Sequence, residues 1–369
     1  MAELLKDRFS AEFILALGGA VTLEQPGFDP SGFEAAVFEG HFEELGLKAR
    51  VARIAAALSR FLPEGLEEAL DPLFRVHRGF PGLPGLVFAE FVAQRGLSDK
   101  DFDVSMEALA RFTVGSSSEF GVRPFIRRDP GRAMAFLRKW SRSPDEQVRR
   151  LASEGSRPRL PWGGVIEQFK ADPAPVLELL DTLLADPSQY VQKSVANSLN
   201  DVSKDHPEAF LGFARPRLGK GRVSDWILRR GGRTLVKKKH GEALRLFGYA
   251  LSPKRPQGMC ESASLTIAPG EPRIGSSVTL AYSVRLSEGF GGLARVEYLL
   301  KYPLSPGGRP RSKLFFLKET LAGKGAEISG SRRVHFRDLS VRKQVPGEHG
   351  IELLLNGEVA ASGSFTLVR

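Results

Sequence analysis

The chain has 369 residues, 42% hydrophobic and 26% charged, with a formal net charge of +10. That length supports two domains with cores of their own, and the composition is ordinary for a globular protein. Its single cysteine, Cys260, excludes an intrachain disulfide and a Cys-based zinc site, and its six His show no metal-ligand spacing, so no metal and no cofactor are expected.

The N-terminal MAELLKDRF mixes charges ahead of an amphipathic stretch and lacks a signal-peptide pattern. No apolar run nears the roughly 20 residues of a membrane span. Residues 1–118 are acidic, with 11 Lys/Arg against 18 Asp/Glu. They read as helices broken by Gly and Pro: LKARVARIAAALSRFL (Leu47 to Leu62), LPEGLEEALDPLF, PGLVFAEFVAQRG and SMEALARFTVG.

Residues 119–255 reverse the charge, with 27 Lys/Arg against 15 Asp/Glu. A basic block of this kind suits a polyanion, or merely a solvated surface. It contains an internal repeat. DPGRAMAFLRKWSRSPDEQVRRLASEG from Asp129 aligns without a gap on DPAPVLELLDTLLADPSQYVQKSVANS from Asp172, an offset of 43 residues. Pro144 falls on Pro187, Val148 on Val191, Arg150 on Lys193 and Glu154 on Asn197. Each unit predicts a helix, a Pro-containing turn and a second helix, at a period in the range of HEAT repeats. Stacked repeats of this type expose equivalent helices side by side on a concave face.

Two segments of the block concentrate the chemistry. VRRLASEGSRPRLPW (Val148 to Trp162) sets Arg149, Arg150, Arg157 and Arg159 around Glu154 and closes on Trp162. YVQKSVANSLNDVSKD (Tyr190 to Asp205) repeats Lys193, Asn197 and Asp201 every four residues, on one helical face. Glu119, Glu154 and Asp201 lie 35 and 47 residues apart, close to one repeat each, so a solenoid can line them along one cleft. The bland alternative is that each acid balances a Lys or Arg one turn away, worth a few tenths of a kcal/mol. Trp140 reads as core; Trp162 reads either as core or as a surface for stacking on a sugar, a base or a cation, and Trp226 stays ambiguous. No G-x-S-x-G, Walker A or dinucleotide-binding fingerprint is present.

The texture changes at PKRPQGM. Residues 253–260 read as a linker between a helical domain at 1–252 and a β domain at 261–369. Seven short runs follow: ASLTIAPG, SVTLAYSVRL, ARVEYLLKY, KLFFLKETL, RRVHF, GIELLLNG and SFTLVR. They predict an antiparallel immunoglobulin-like sandwich, with Asn356-Gly357 as a type I′ hairpin turn. The fold expected is thus an all-α HEAT-like solenoid followed by an all-β sandwich.

SSEFGVRPFIRRDP, VRRLASEGSRPRLPW and SVANSLNDVSKDHP resemble the signature segments of the AlkC-type DNA alkylation-repair glycosylases, relatives of AlkD. GLKARVARIAAAL and LSVRKQVPGEHGIELLLNGE extend the resemblance over nearly the whole chain. One departure is Ser118, where relatives often carry a smaller residue such as Ala. The resemblance implies a HEAT-like repeat domain with an appended immunoglobulin-like domain. It implies excision of cationic alkylated bases, chiefly 3-methyladenine and 3-methylcytosine, from double-stranded DNA without base flipping. It maps the acidic site onto Glu119, Glu154 and Asp201, with Trp162 as aromatic neighbour.

On this basis Asp201 is expected to be the main stabiliser of an oxocarbenium-like sugar and to orient water, assisted by Glu154 and Glu119. Arg123, Arg149, Arg150, Arg157, Arg159, Lys193 and Lys204 are expected at phosphates, and Asn197 and Asn200 at water or phosphate. Basic loops at Gly307–Lys313, Ser331–Arg337 and Val341–Lys343 are expected to help the C-terminal domain encircle the duplex. A cytoplasmic, nucleoid-associated monomer without membrane contact is expected. The alternatives are a non-enzymatic DNA-binding or damage-sensing HEAT protein and a scaffold for an acidic protein partner.

Overall fold

The structure is a computed structural model and describes residues 5–249, 258–303, 311–338 and 343–369. It divides into two compact units, Met1–Arg233 and Thr234–Arg369. The linker expected at 253–260 falls mostly outside the described residues. So do parts of the basic loops at 307–313 and 341–343.

The first unit opens with α1 (Ala11–Glu24), α2 (Pro30–Phe38), α3 (Leu47–Phe61), α4 (Leu66–Val76), α5 (Leu86–Arg95) and α6 (Phe102–Phe112). Leu47 to Leu62, read from sequence as one helix, is α3 with Leu62 as its C-cap. The fully buried rings of Phe88, Phe91 and Phe112 form the core beneath α5 and α6. The Ser118 hydroxyl is buried and donates to the Leu109 carbonyl at 2.7 Å, so it fits where a smaller residue was expected.

The repeat follows as α7 (Arg123–Arg128), α8 (Pro130–Trp140) and α9 (Glu146–Gly155), then a hairpin of β1 (Arg159–Leu160) and β2 (Gly164–Val165). Next come α10 (Glu167–Ala171), α11 (Ala174–Asp181), α12 (Gln189–Asp205), α13 (Pro207–Ala214) and α14 (Arg222–Gly231). The offset of 43 is physical. Asp129 caps α8 by accepting from the Arg132 amide, and Asp172 accepts from the Ala174 amide at the start of α11. Pro144 and Pro187 sit in the turns, each followed by a second-helix cap, Asp145 or Ser188. Such caps satisfy amides that the first turn leaves unpaired. α9, α12 and α14 then lie side by side. Between α9 and α12 the buried Ser153 and Ser194 hydroxyls share a hydrogen bond of 2.7 Å. Between α12 and α14 the Leu199 side chain packs on Gly231.

The short hairpin departs from the all-helical expectation for this region. Pro158, Pro161 and the pair Gly163-Gly164 stop α9 from continuing, and the chain folds back on itself.

The second unit begins with α15 (Arg233–Lys237, of which Arg233 belongs to the first unit) and α16 (Gly241–Leu246). Its strands are β3 (Cys260–Ala268), β4 (Ser277–Leu286), β5 (Gly292–Lys301), β6 (Ser312–Ala322), β7 (Glu327–His335), β8 (Gly347–Leu355) and β9 (Glu358–Leu367). They form antiparallel sheets of order β3-β4-β7 and β6-β5-β8-β9, an immunoglobulin-like sandwich. Val284, Leu286, Val296, Leu353 and Leu355 fill one half of the core and Leu280, Tyr298, Phe336 and Phe365 the other. Asn356 and Gly357 both take positive φ, 45° and 87°, as a type I′ turn between β8 and β9 requires. Tyr249 pairs with Leu293 of β5, and its hydroxyl donates to Glu319 at 2.5 Å, which fastens α16 to the sandwich.

Gly155, the last residue of α9, has no room for a side chain: a Cβ there would lie 2.5 Å from Val122. Gly155→Ala should lower stability by about 1–3 kcal/mol, the usual penalty for overpacking. A thermal melt checks this, and an unchanged melting temperature would contradict the tight packing of α9 on Val122.

Candidate active site

Six side chains of alternating charge run through the repeat region. Glu119, in the loop before α7, accepts from Ser117 at 3.0 Å and from Arg150 Nη1 at 2.7 Å. Arg150, on α9, lies 3.8 Å from Glu154 one turn on, and its guanidinium stacks 4.5 Å over the Tyr190 ring of α12. Glu154 Oε1 accepts from Arg157 at 2.6 Å. Arg157 also donates to Asp201 Oδ2 at 2.8 Å, and Lys204 donates to Asp201 Oδ1 at 3.0 Å. The three acids expected to share one cleft are therefore joined through two arginines.

Burial makes these contacts matter. Asp201 is 1% exposed and Glu154 6%. Desolvation opposes the charge of Arg150 and of Arg157. Glu119 and Glu154 nevertheless hold the Arg150 pKa above its ordinary value, and Asp201 with Glu154 does the same for Arg157. Both cations are thus fixed by their acids, and removing any one acid would leave a buried charge short of partners.

A cleft of about 380 Å³ opens over the network, lined by Leu47, Leu86, Phe120, Leu160 and Trp162, with Glu119, Glu154 and Arg157 as its polar groups. Among the described residues, Glu119 accepts only through Oε2 and Glu154 only through Oε1, so each acid has one oxygen without a hydrogen bond. Apolar walls with a few convergent polar groups are the usual form of a binding cleft. Asp201 does not line it. It stands behind Arg157, which bridges it to Glu154 at the cleft.

Trp162 sits at the tip of the β1–β2 hairpin, 64% exposed, with a positive φ of 64°. This settles the sequence ambiguity against a core role. The Lys48 ammonium of α3 holds its carbonyl at 2.9 Å. Arg123 braces the hairpin from below, donating to the carbonyls of Gly155, Arg157, Gly163 and Gly164 at 2.7–3.1 Å. It is 1% exposed, and burial first, then Arg127 and Arg157, push its guanidinium down to about 10. Its expected phosphate contact is therefore corrected to a structural one. The same holds for Arg149, which forks onto Asp186 at 2.6 and 3.2 Å, and Asn200 is buried. Glu119 pairs with Arg150 and not with Arg123, despite the four-residue spacing.

Along α12 the expected face tilts inward: Lys193 is exposed, Asn197 half-buried and Asp201 buried. Asn197 accepts from Arg233 at 3.0 Å. Arg159 forks onto Asp205 at 2.6 Å for both bonds. Sequence reasoning missed Tyr190 and Lys48. Tyr190 falls on Gln147 in the repeat alignment, and Lys48 is 114 residues from Trp162, so neither spacing pointed to its contact. Among the described residues no cluster of His, Cys, Asp and Glu is arranged to hold a metal. No helix among them is long and apolar enough to cross a membrane.

A model of the DNA alkylation repair enzyme family matches residues 112–235, and a model of the C-terminal immunoglobulin-like domain of the uncharacterised protein YhaZ matches residues 261–369. The uncharacterized protein YhaZ of Bacillus subtilis (strain 168) is 39% identical over 361 residues, covering 98% of each chain. The alkylpurine DNA glycosylase AlkC of Pseudomonas fluorescens, solved bound to DNA containing an abasic site analog, superposes with a TM-score of 0.88 at 34% identity, covering 100% of both chains. The chain belongs to the AlkC family of DNA alkylation-repair proteins. All six members of the charge network and Trp162 lie inside the stretch that the alkylation-repair model covers.

Each carbonyl that loses Arg123 inside the fold costs about 1–3 kcal/mol if left dry. Arg123→Met should therefore lower the urea midpoint and speed amide exchange over residues 163–165; unchanged protection there would refute the brace. Arg159 holds the Asp205 carboxyl below its ordinary 3.8, chiefly through the hydrogen bond. A depressed folded pKa stabilises above the unfolded value and is lost as pH falls through the folded one. Asp205→Asn should therefore flatten the fall in stability below pH 3.8, measured by acid titration of unfolding.

Proposed function

We propose that this protein is a DNA glycosylase that hydrolyses the N-glycosidic bond of cationic alkylated bases, 3-methyladenine and 3-methylcytosine, in duplex DNA. The observation that carries this reading is that Glu119 and Glu154 line one cleft beside the exposed Trp162, each with one carboxylate oxygen that accepts no hydrogen bond among the described residues. Full-length similarity to AlkC supports the reaction class.

A 3-alkylated base already carries positive charge and leaves as a neutral molecule, so no general acid is required. The remaining task is to stabilise an oxocarbenium-like deoxyribose and to deliver water. Glu154 and Glu119 supply negative charge held rigid by Arg150 and Arg157, which costs no reorganisation as the cation develops. One of the two free oxygens orients the water or takes its proton. Asp201 keeps Arg157, and through it Glu154, in place. Trp162 packs on the sugar or backbone at the lesion, and Lys193, Lys204 and Arg159, which unlike Arg149 are exposed, reach phosphates. Action without base flipping is part of this reading. We propose further that residues 1–252 carry the chemistry and that the sandwich, 261–369, adds exposed basic surface at Arg332 and Arg333 of β7.

Single-turnover excision from duplex DNA containing 3-methyladenine tests the proposal. Wild type should release free base, and Glu154→Gln should be slower by about 100-fold or more. Asp201→Asn should also lose rate. Tight binding without base release would replace the enzyme by a damage sensor that uses the same surface.

A further inference from the structure

The arginines of the basic block that sequence spacing singled out are mostly matched by acids: Arg149 by Asp186, Arg150 by Glu119, Arg157 by Glu154 and Asp201, Arg159 by Asp205. The exposed face of α14 is different. Arg222, Trp226 and Arg230 recur every four residues and so share one side of the helix. All three are exposed, Trp226 at 41%. Among the described residues neither Arg222 nor Arg230 has a carboxylate partner. The one acid of the helix, Asp225, is turned to the Gly219 amide at 2.7 Å. The opposite face, with Ser224, Ile227, Leu228 and Gly231, is buried.

This face adjoins the one that α12 presents. Arg233, just beyond α14, donates to Asn197 Oδ1 at 3.0 Å and to the Arg230 carbonyl at 2.7 Å. Asn197 lies one turn from the exposed Lys193, which also lacks a carboxylate partner among the described residues. α14 is the next helix beside α12, as α12 is beside α9, so the uncompensated charge continues along the stack. Trp226 does not merely fill a gap. Its ring lies beneath Arg230, 5.4 Å from the guanidinium, so the indole is held at the surface by a cation. Exposed aromatic surface flanked by unneutralised guanidinium groups matches a sugar–phosphate strand, which offers apolar sugar faces between anionic oxygens.

We propose that the exposed face of α14 is a second DNA contact, outside the cleft, which grips the backbone of the duplex on one flank of the lesion. Arg222 and Arg230 take phosphates and Trp226 packs on the deoxyribose between them. The inference rests on the reading of the chain as a DNA-binding glycosylase, and it adds residues that neither the cleft nor the repeat alignment points to. None of the three lines the cleft, so they act on affinity and register and leave the bond-breaking step alone.

The test uses the full chain and a duplex carrying a tetrahydrofuran abasic analogue, with dissociation constants measured across a salt series. Arg222→Gln with Arg230→Gln should make the log–log salt slope shallower by about 1.8, since each lost phosphate contact removes about 0.9. Trp226→Ala should weaken binding several-fold with little change in slope. The paired Lys variants, R222K with R230K, should restore the slope, because a phosphate contact needs only the charge. Single-turnover excision at saturating enzyme should stay at the wild-type rate in all of them. An unaltered slope in the double Gln variant, with wild-type excision intact, overturns the α14 contact alone. A wild-type protein with no salt-dependent DNA binding overturns the glycosylase reading beneath it. Thermal melts of the three exposed-site variants should match wild type, which separates loss of contact from loss of fold.

Discussion

Everything at the cleft depends on how two arginines are shared among three acids. Arg150 joins Glu119 to Glu154, and Arg157 joins Glu154 to Asp201. Taken singly, each of these groups would be costly to bury. Taken together they alternate in sign, and each guanidinium fork is held between two carboxylates. The network also crosses the chain's own architecture. It draws on the loop before α7, on α9, on the turn after α9 and on α12, so closing it fixes the spacing between successive repeats. The charge that lines the cleft and the charge that ties the helices together are the same charge here. The acids that face the cleft are rigid because their partners cannot leave.

Much of this was legible in the sequence, and the reasons are particular. The 43-residue offset located α8, α9, α11 and α12 because Asp-Pro and the turn prolines recur with it. Alternating apolar residues and Asn356-Gly357 located the sandwich and its last hairpin. The three acids stood out because they fall about one repeat apart and lie in the segments that resemble the alkylation-repair family. What sequence could not rank was which acid faces outward. Glu119, Glu154 and Asp201 look alike as letters, and burial behind Arg157 is a property of packing. The same limit explains Arg123. It sits four residues from Glu119, a spacing that suggests an ion pair, yet its donors all go to carbonyls 32 to 41 residues away.

The hairpin between α9 and α10 shows how local breakers and a distant brace cooperate. Pro158, Pro161 and two glycines prevent a helix but do not by themselves specify a shape. Arg123 supplies the shape, because a planar group with five donors can satisfy several carbonyls at once. A cation that reads as a ligand for phosphate thus serves as a scaffold for backbone, and it sets where Trp162 stands. This division of labour explains why counting Lys and Arg overstates the surface available to an anion. Of the arginines in the motif run, each has a partner within the protein.

The Tyr249 hydroxyl on Glu319 has a consequence for how the chain can be divided. Glu319 also accepts from Arg295, and Arg295 in turn donates to Glu297 of the same strand. Burial and the Glu319 bond both raise the Tyr249 pKa, so the phenol keeps its proton and stays a donor. Residues 234–249 are in this sense the first layer of the sandwich and not the tail of the helices. A fragment begun at Cys260, where the strands start, would strip Arg295 and Glu319 of their phenolic partner and bare the side of β5 that Leu293 lends to Tyr249. The compact unit that holds the sandwich begins in helical sequence at Thr234, 26 residues before its first strand at Cys260.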